Sequence, residues 1–405
     1  MEAVYERCCG IDVHKKMIVA CLKIGKKHEL RQFGTTTKEL KELANWLVVE
    51  NCEMVAMEST GSYWKPIYNI LEVLGLEVMV VNAQHMKAVP GRKTDMKDAQ
   101  WISDLLQHGL LRASYIPDKE QRELREVSRY RKSLVEERAR EINRLEKTLE
   151  GGNIKLSSVV KDITGKSSRS LIKKALTEGV TEENIDALLY GRLRVKKNEL
   201  LLAMDGVLTK TQRRLIGAIT DHIDDMTRRI GDMDEIVKEE MQKYEESIAA
   251  IDEIPGIGLL SAQSILAEIG IDMSRFPTAS HLASWAGLSP GNNESAGKRK
   301  SGRTCKGNAM LKTTLVQCAK QASRNSKSFF KAQYDRLVVR RGANRATVAV
   351  AHSMIIAIYH ILKYNEPFKD LGVDYYQQFN TEKKISSYLR KLSDLGWQPP
   401  ISAVV

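Results

Sequence analysis

The stretch Gly10–Ile24, "GIDVHKKMIVACLKI", decides the fold. Two apolar, β-rich runs flank His14, Lys15 and Lys16, the pattern of two strands joined by a tight turn. Asp12 interrupts the first run. A carboxylate set in an apolar strand is costly to bury unless something positive or hydrogen-bonding meets it.

Further strand and helix signals follow outward from this stretch. "HELRQFGTT" reads as a third strand, and "TTKELKELANWLVVEN" as a helix after threonine caps. "CEMVAMES" is a short apolar strand ending at Glu58, and "SYWKPIYNILEVLG" a helix stopped at Gly75. "LEVMVVN" is a buried strand and "TDMKDAQWISDLLQHGLL" another helix. The order β-β-β-α-β-α-β-α predicts an α/β domain over 1–120, a mixed sheet carrying helices, as in RNase H-like domains. Residues 121–247 read as long charged helices. Val135, Ala139, Ile142 and Leu149 mark one apolar seam. Ile216, Ile219, Ile223, Met226, Ile230, Met233 and Val237 mark a second, at coiled-coil or bundle spacing. Gly151-Gly152 opens a small helical insertion over about 151–207. A helical domain is expected over 248–365 and a polar tail over 366–405.

The formal net charge of the 405 residues is +12. Between Ser295 and Arg345 lie 14 Lys/Arg and one acid, Asp335, which implies a polyanionic partner. Six cysteines show no CxxC spacing, so neither a zinc site nor a disulfide framework is expected, and a reducing cytoplasm is implied. No unbroken run of about 18 apolar residues predicts a membrane span, and "MEAVYERCCG" lacks the pattern of a signal peptide.

Asp12 and Glu58 are placed on neighbouring strands, and Asp95 and Asp98 share one helical face at their three-residue spacing. Four carboxylates from three elements suit Mg²⁺, which binds phosphate oxygens beside a few carboxylates. Singly, each acid also fits a cap or a solvated position. His14 reads as a turn histidine near this group. Gly256 and Gly258, in "IPGIG", fit either a phosphate-binding helix-hairpin-helix turn or a plain interhelical turn. "NNESAGKRKSGRTCKGN" reads as a flexible basic loop whose Lys298, Arg299, Lys300, Arg303 and Lys306 could hold a nucleic-acid backbone. Ser295 or Ser301 would then be a hydroxyl among cations, able to attack a phosphate if activated.

"GIDVHKK", "AMESTGSYW", "VVNAQHMKAVPGRKTDMKDAQWISDLL", "IPGIGLLSAQSILAEIG", "LASWAGLSPGNNESAGKRKSGRTCKGN" and "RRGANRATVAVAHSMI" together resemble the DEDD transposases of bacterial insertion sequences, relatives of the pilin-gene invertase. The resemblance covers about residues 7–150 and 248–365. It implies a RuvC-like N-terminal domain, a coiled-coil linker and a C-terminal transposase domain. It matches Asp12, Glu58, Asp95 and Asp98 to the four metal-binding acids and Ser295 to the nucleophile, with Ser301 the nearby alternative. It further implies DNA as substrate, a noncoding bridge RNA as guide, and a homo-oligomer, dimer or tetramer, with acids and serine drawn from different subunits. Two rivals stand beside this reading: a RuvC-like nuclease cutting branched DNA with metal-activated water, and a non-catalytic architectural nucleic-acid-binding protein.

Overall fold

The computed structural model describes residues 3–82, 98–291, 293–295, 298–325 and 327–397. The chain forms two compact units, Met1–Asp118 and Lys119–Val405.

In the first unit, β1 (Arg7–Val13), β2 (Ile18–Ile24) and β3 (Lys27–Phe33) form an antiparallel meander. The first turn is closed by the His14 amide donating to the Met17 carbonyl at 3.0 Å. After α1 (Thr37–Val49), β4 (Met54–Glu58) returns parallel to β1. After α2 (Trp64–Val73), β5 (Val78–Val81) adds parallel to β4. The sheet order is β3-β2-β1-β4-β5, a mixed five-stranded arrangement consistent with an RNase H-like domain. Helix α1 starts on a capping box in which Thr36 and Glu39 satisfy each other's backbone amides.

Strand alternation sorts the side chains into two cores. Cys9, Ile11 and Val13 of β1 and Val55 and Met57 of β4 pack with α1 and α2. On the other face, Cys8, Ala56 and Val81 meet Ile102, Leu105 and Leu106 of α3 (Asp98–Gln107). Gly10 permits this second contact. A Cβ there would lie 2.3 Å from the Ser103 amide nitrogen and 2.4 Å from the Ala99 carbonyl oxygen, so any side chain would lift α3 off the strand.

The second unit begins with α4 (Lys119–Glu150). Short helices α5 (Leu156–Val159), α6 (Lys166–Thr177), α7 (Ile185–Leu188) and α8 (Lys197–Met204) follow, then α9 (Lys210–Met241). Helices α4 and α9 pack antiparallel: Arg131 pairs with Asp234, and the Arg138 Nε donates to the Thr227 Oγ1 at 2.7 Å. The α9 stripe faces inward, with Ile216, Ile219, Ile223, Met226 and Val237 buried and Ile230 and Met233 half-buried. The α4 stripe needs correction. Val135 is 40% exposed and Ala139 is also exposed; the seam runs through Leu134, Ile142, Leu145 and Leu149. Adjacent apolar residues on a helix lie about 100° apart, so only one of Leu134 and Val135 can face the partner. The segment between the long helices packs Leu156, Ile163, Leu171, Ile185 and Leu200 against Leu145 and Ile216 as its own small core.

The remainder comprises α10 (Glu245–Asp252), α11 (Leu259–Ile269), α12 (Ala279–Trp285), β6 (Asn293–Ser295), β7 (Lys298–Ser301), α13 (Ala309–Ala322), α14 (Phe329–Arg341) and α15 (Ala343–Tyr364). Helix α15 is long and apolar enough to cross a membrane, although no unbroken apolar run produces this. It buries Ala346, Val350, Ala351, Met354, Ile355 and Ile358, and packs against α12, α13 and α14. The residues after 366, read as a polar tail, include α16 (Tyr375–Asp394). Its start docks on α14 through the Phe329 ring, 5.3 Å from Tyr375 and 5.5 Å from Tyr376.

Candidate active site

Strands β1 and β4 run parallel with Gly10 opposite Ala56 and Ile11 opposite Met57, so Asp12 and Glu58 are next in register at the carboxyl ends of their strands. Asp12 shares its face with Cys8 and Gly10, and Glu58 shares its face with Ala56, by strand alternation. This is the face covered by α3. Ala99 of α3 touches Gly10, which sets the helix start, with Asp98 at its first position, toward the same strand ends. The backbone therefore brings Asp12, Glu58 and the start of α3 to one end of the sheet. Asp95 lies outside the described residues.

Asp12 is half-buried and meets one partner: the Nε2 of His14 lies 3.0 Å from its Oδ2. Among the described residues the Glu58 carboxylate has no ion pair and no side-chain hydrogen bond. No three His, Cys, Asp or Glu side chains among the described residues gather tightly enough to form a metal-holding group. The donor chemistry still suits a hard cation, because the carboxylate-bearing residues Asp12 and Glu58 end neighbouring strands at one sheet edge. His14 is an exposed turn residue, as read, but it touches Asp12.

The basic stretch is a β-hairpin rather than a structureless loop. Ser295 pairs with Lys298 and Asn293 with Ser301, with an irregularity between Asn293 and Glu294. The ladder continues down its stem, where the Gly291 amide donates to the Arg303 carbonyl at 2.9 Å and the Cys305 amide to the Ser289 carbonyl at 3.0 Å. Ser295 thus stands at the tip of the hairpin and Ser301 nearer its foot. Arg303 and Lys306 are exposed beside the stem.

A transposase family model of the DEDD IS110 type matches residues 9–154, and the model described as "Transposase IS116/IS110/IS902 family" matches 248–335. The chain belongs to the DEDD insertion-sequence transposases. It is 26% identical over 371 residues to the transposase for insertion sequence element IS1111A of Coxiella burnetii, covering 89% of this chain and 87% of that one. It is 24% identical over 351 residues to a probable family 20 transposase of Pseudomonas aeruginosa, covering 85% and 89%. It is 24% identical over 327 residues to a putative transposase, y4qE, of Sinorhizobium fredii, covering 78% and 71%. Transposition is the function this family supports.

The "IPGIG" turn of the transposase links α10 to α11. Gly256 has φ +92°, and a Cβ there would lie 2.6 Å from both the Ala322 amide nitrogen and the Cys318 carbonyl oxygen. Close packing on α13 therefore explains the glycine without a phosphate. Gly258 is different: it precedes the first turn of α11 and faces open space.

One buried carboxylate escaped the sequence reading. Glu268, at the end of α11, accepts from the Arg129 Nε at 2.7 Å and Nη2 at 2.8 Å, and from the Asn308 Nδ2 at 2.5 Å. The Arg125 Nε lies 3.7 Å from its Oε2. Burial pushes the Glu268 carboxyl up, but the hydrogen bonds from Arg129 and Asn308 and the two guanidinium charges bring it below its ordinary value. This cluster joins α4, α11 and the start of α13.

Proposed function

We propose that this transposase cuts and rejoins DNA through a covalent serine–DNA intermediate, with Ser295 as nucleophile and Asp12, Glu58, Asp95 and Asp98 as the acid cluster. The observation that supports the reading is the neighbouring register of Asp12 and Glu58 at the ends of β1 and β4, with the start of α3 packed beside them. The Ser295 Oγ attacks the scissile phosphorus, the bond to the leaving oxygen breaks, and that oxygen takes a proton as a free hydroxyl. The new phosphoserine ester keeps a phosphoester bond, so attack by a second hydroxyl rejoins DNA and restores the serine without an energy-rich cofactor. Mg²⁺ held by the four acids would supply charge stabilisation at the phosphate. Lys298, Arg299, Lys300, Arg303 and Lys306 neutralise the DNA backbone around the hairpin. The family resemblance adds a bridge RNA as guide and a homo-oligomer, dimer or tetramer, in which acids and serine come from different subunits.

A gel for DNA covalently attached to denatured protein tests the chemistry. Ser295→Ala is expected to abolish the adduct while leaving DNA binding nearly intact. Loss only in Ser301→Ala moves the nucleophile to the hairpin foot. An adduct surviving the double substitution removes the serine mechanism, and recombination without any wild-type adduct favours hydrolysis at the acid cluster.

A further inference from the structure

Next to the hairpin stem, the C-terminal unit carries an open groove of about 970 Å³, bounded on the other side by α14 and α15. Its size lies near the top of the roughly 300–1,000 Å³ range of ligand sites. Arg303, Arg341 and Arg345 line it, and among the described lining residues there is no Asp or Glu. Arg341 and Arg345 are exposed and make no ion pair among the described residues. Asn344 and Arg345 belong to the first turn of α15, which has no side-chain cap, so its leading amides add to the positive field. This rim is built for anions.

The wall is not merely cationic. Leu288, Leu337 and Val348 give it an apolar surface. Deeper in, the Gln333 Nε2 donates to the Ser353 Oγ at 2.8 Å, and that hydroxyl donates to the Ala349 carbonyl at 3.3 Å. This relay fixes the amide: its nitrogen is committed to Ser353, so the Oε1 is the free acceptor. That oxygen is buried and has no hydrogen-bond partner. His352 lines the same wall, and burial lowers its pKa, so its ring is neutral near pH 7.

Three guanidiniums alone would suit any phosphate. An apolar wall beside them asks for a flat group joined to the anion. A nucleotide has both, but in a duplex its base faces are stacked and its pairing edge is used. We propose that this groove binds unpaired nucleotides of a polynucleotide strand. Their phosphates lie on Arg303, Arg341 and Arg345, and a base rests against Leu337 and Val348. The proposal rests on the DNA-acting reading above, and it adds a subsite lined by residues other than the acids and Ser295.

The test is fluorescence anisotropy with the full-length protein and three labelled probes: single-stranded DNA, single-stranded RNA of the same sequence, and duplex DNA. Arg341→Ala/Arg345→Ala is expected to weaken single-strand binding about tenfold or more. It should also make the log–log salt slope shallower by about 1.4, at roughly 0.7 per lost phosphate contact on a single strand. Duplex binding should change less, and the melting temperature should hold because both arginines are exposed. Leu337→Ser should weaken single-strand binding severalfold with the salt slope unchanged, since no charge is removed. A larger effect on RNA assigns the occupant to an RNA strand, and a larger effect on DNA to an unpaired DNA strand; both support the groove. Wild-type binding of single strands with the double variant within twofold overturns the groove alone, as does equal loss on single strand and duplex. Failure of the wild type to bind any polynucleotide overturns the functional reading as well.

Discussion

Asp12 and Glu268 carry the same mark in the sequence, an acid inside an apolar run, "GIDV" and "LAEIG", yet they meet opposite surroundings. The Glu268 side chain is 2% exposed and held by Arg129, Arg125 and Asn308. Asp12 stands at a strand end with His14, itself exposed, as its partner, beside Glu58 and the start of α3. A carboxylate that holds a fold together arrives with its cations, because ionised groups leave water at a heavy cost. Carboxylates brought close together repel one another. Such a group is useful only if something positive joins it later.

The largest expected effect falls on the first group. Asp12→Ala or Glu58→Ala should lower DNA strand exchange by roughly 10²-fold or more, the scale of losing one electrostatic element of an active site. Melting in EDTA should stay level or rise, as like charges are removed, and added Mg²⁺ should stabilise the wild type more than either variant. Full activity in either variant would erase the contrast with Glu268.

The second effect is on stability. Glu268→Gln removes the buried charge that Arg129 and Arg125 face and should cost about 3–5 kcal/mol, read as a lower urea midpoint at pH 7. The pH dependence has a fixed sign. The folded carboxyl lies below its ordinary value of 4.5, so its contribution is complete above that value and is lost as pH falls through the folded one. Wild type and variant should therefore converge in acid. A gap that persists unchanged to low pH would mean that shape, not charge, makes Glu268 important.

The smallest effect tests the placement of the acids. Gly10→Ala should cost about 1–3 kcal/mol by overpacking and shift α3 away from β1. Activity should fall further than that loss of stability explains, because Asp98 rides on α3. A stable variant with full activity would separate Asp98 from the site.

The first unit was readable because alternation and turn residues are local: each strand announces itself within a few residues, and Asp12 and Glu58 follow from where the strands end. The hairpin at 293–301 reads as a loop in sequence because polar, basic strands have no apolar alternation to reveal them. On α4, neighbouring apolar residues hid which side faced inward, and exposed Val135 stood in for buried Leu134. The Glu268 cluster joins residues 139 positions apart, and such pairing has no local signature. Arg341 and Arg345 lay within the basic stretch but gained meaning only when α14 and α15 brought them to one groove.

The antiparallel pairing of α4 and α9 makes length a quantity that can change in steps. From Arg131 to Arg138 is seven residues, and from Asp234 back to Thr227 is again seven, so position along one helix is mirrored on the other. Removing seven residues from each arm, about 10 Å of helix, would return every facing side chain to nearly the same angle. Removing them from one arm alone would unmatch the pair. The short helices at the far end share one apolar core with the adjoining turns of both arms and would travel with them. This part of the molecule can therefore lengthen or shorten like a telescope, in paired increments, while the folds at either end keep their internal packing.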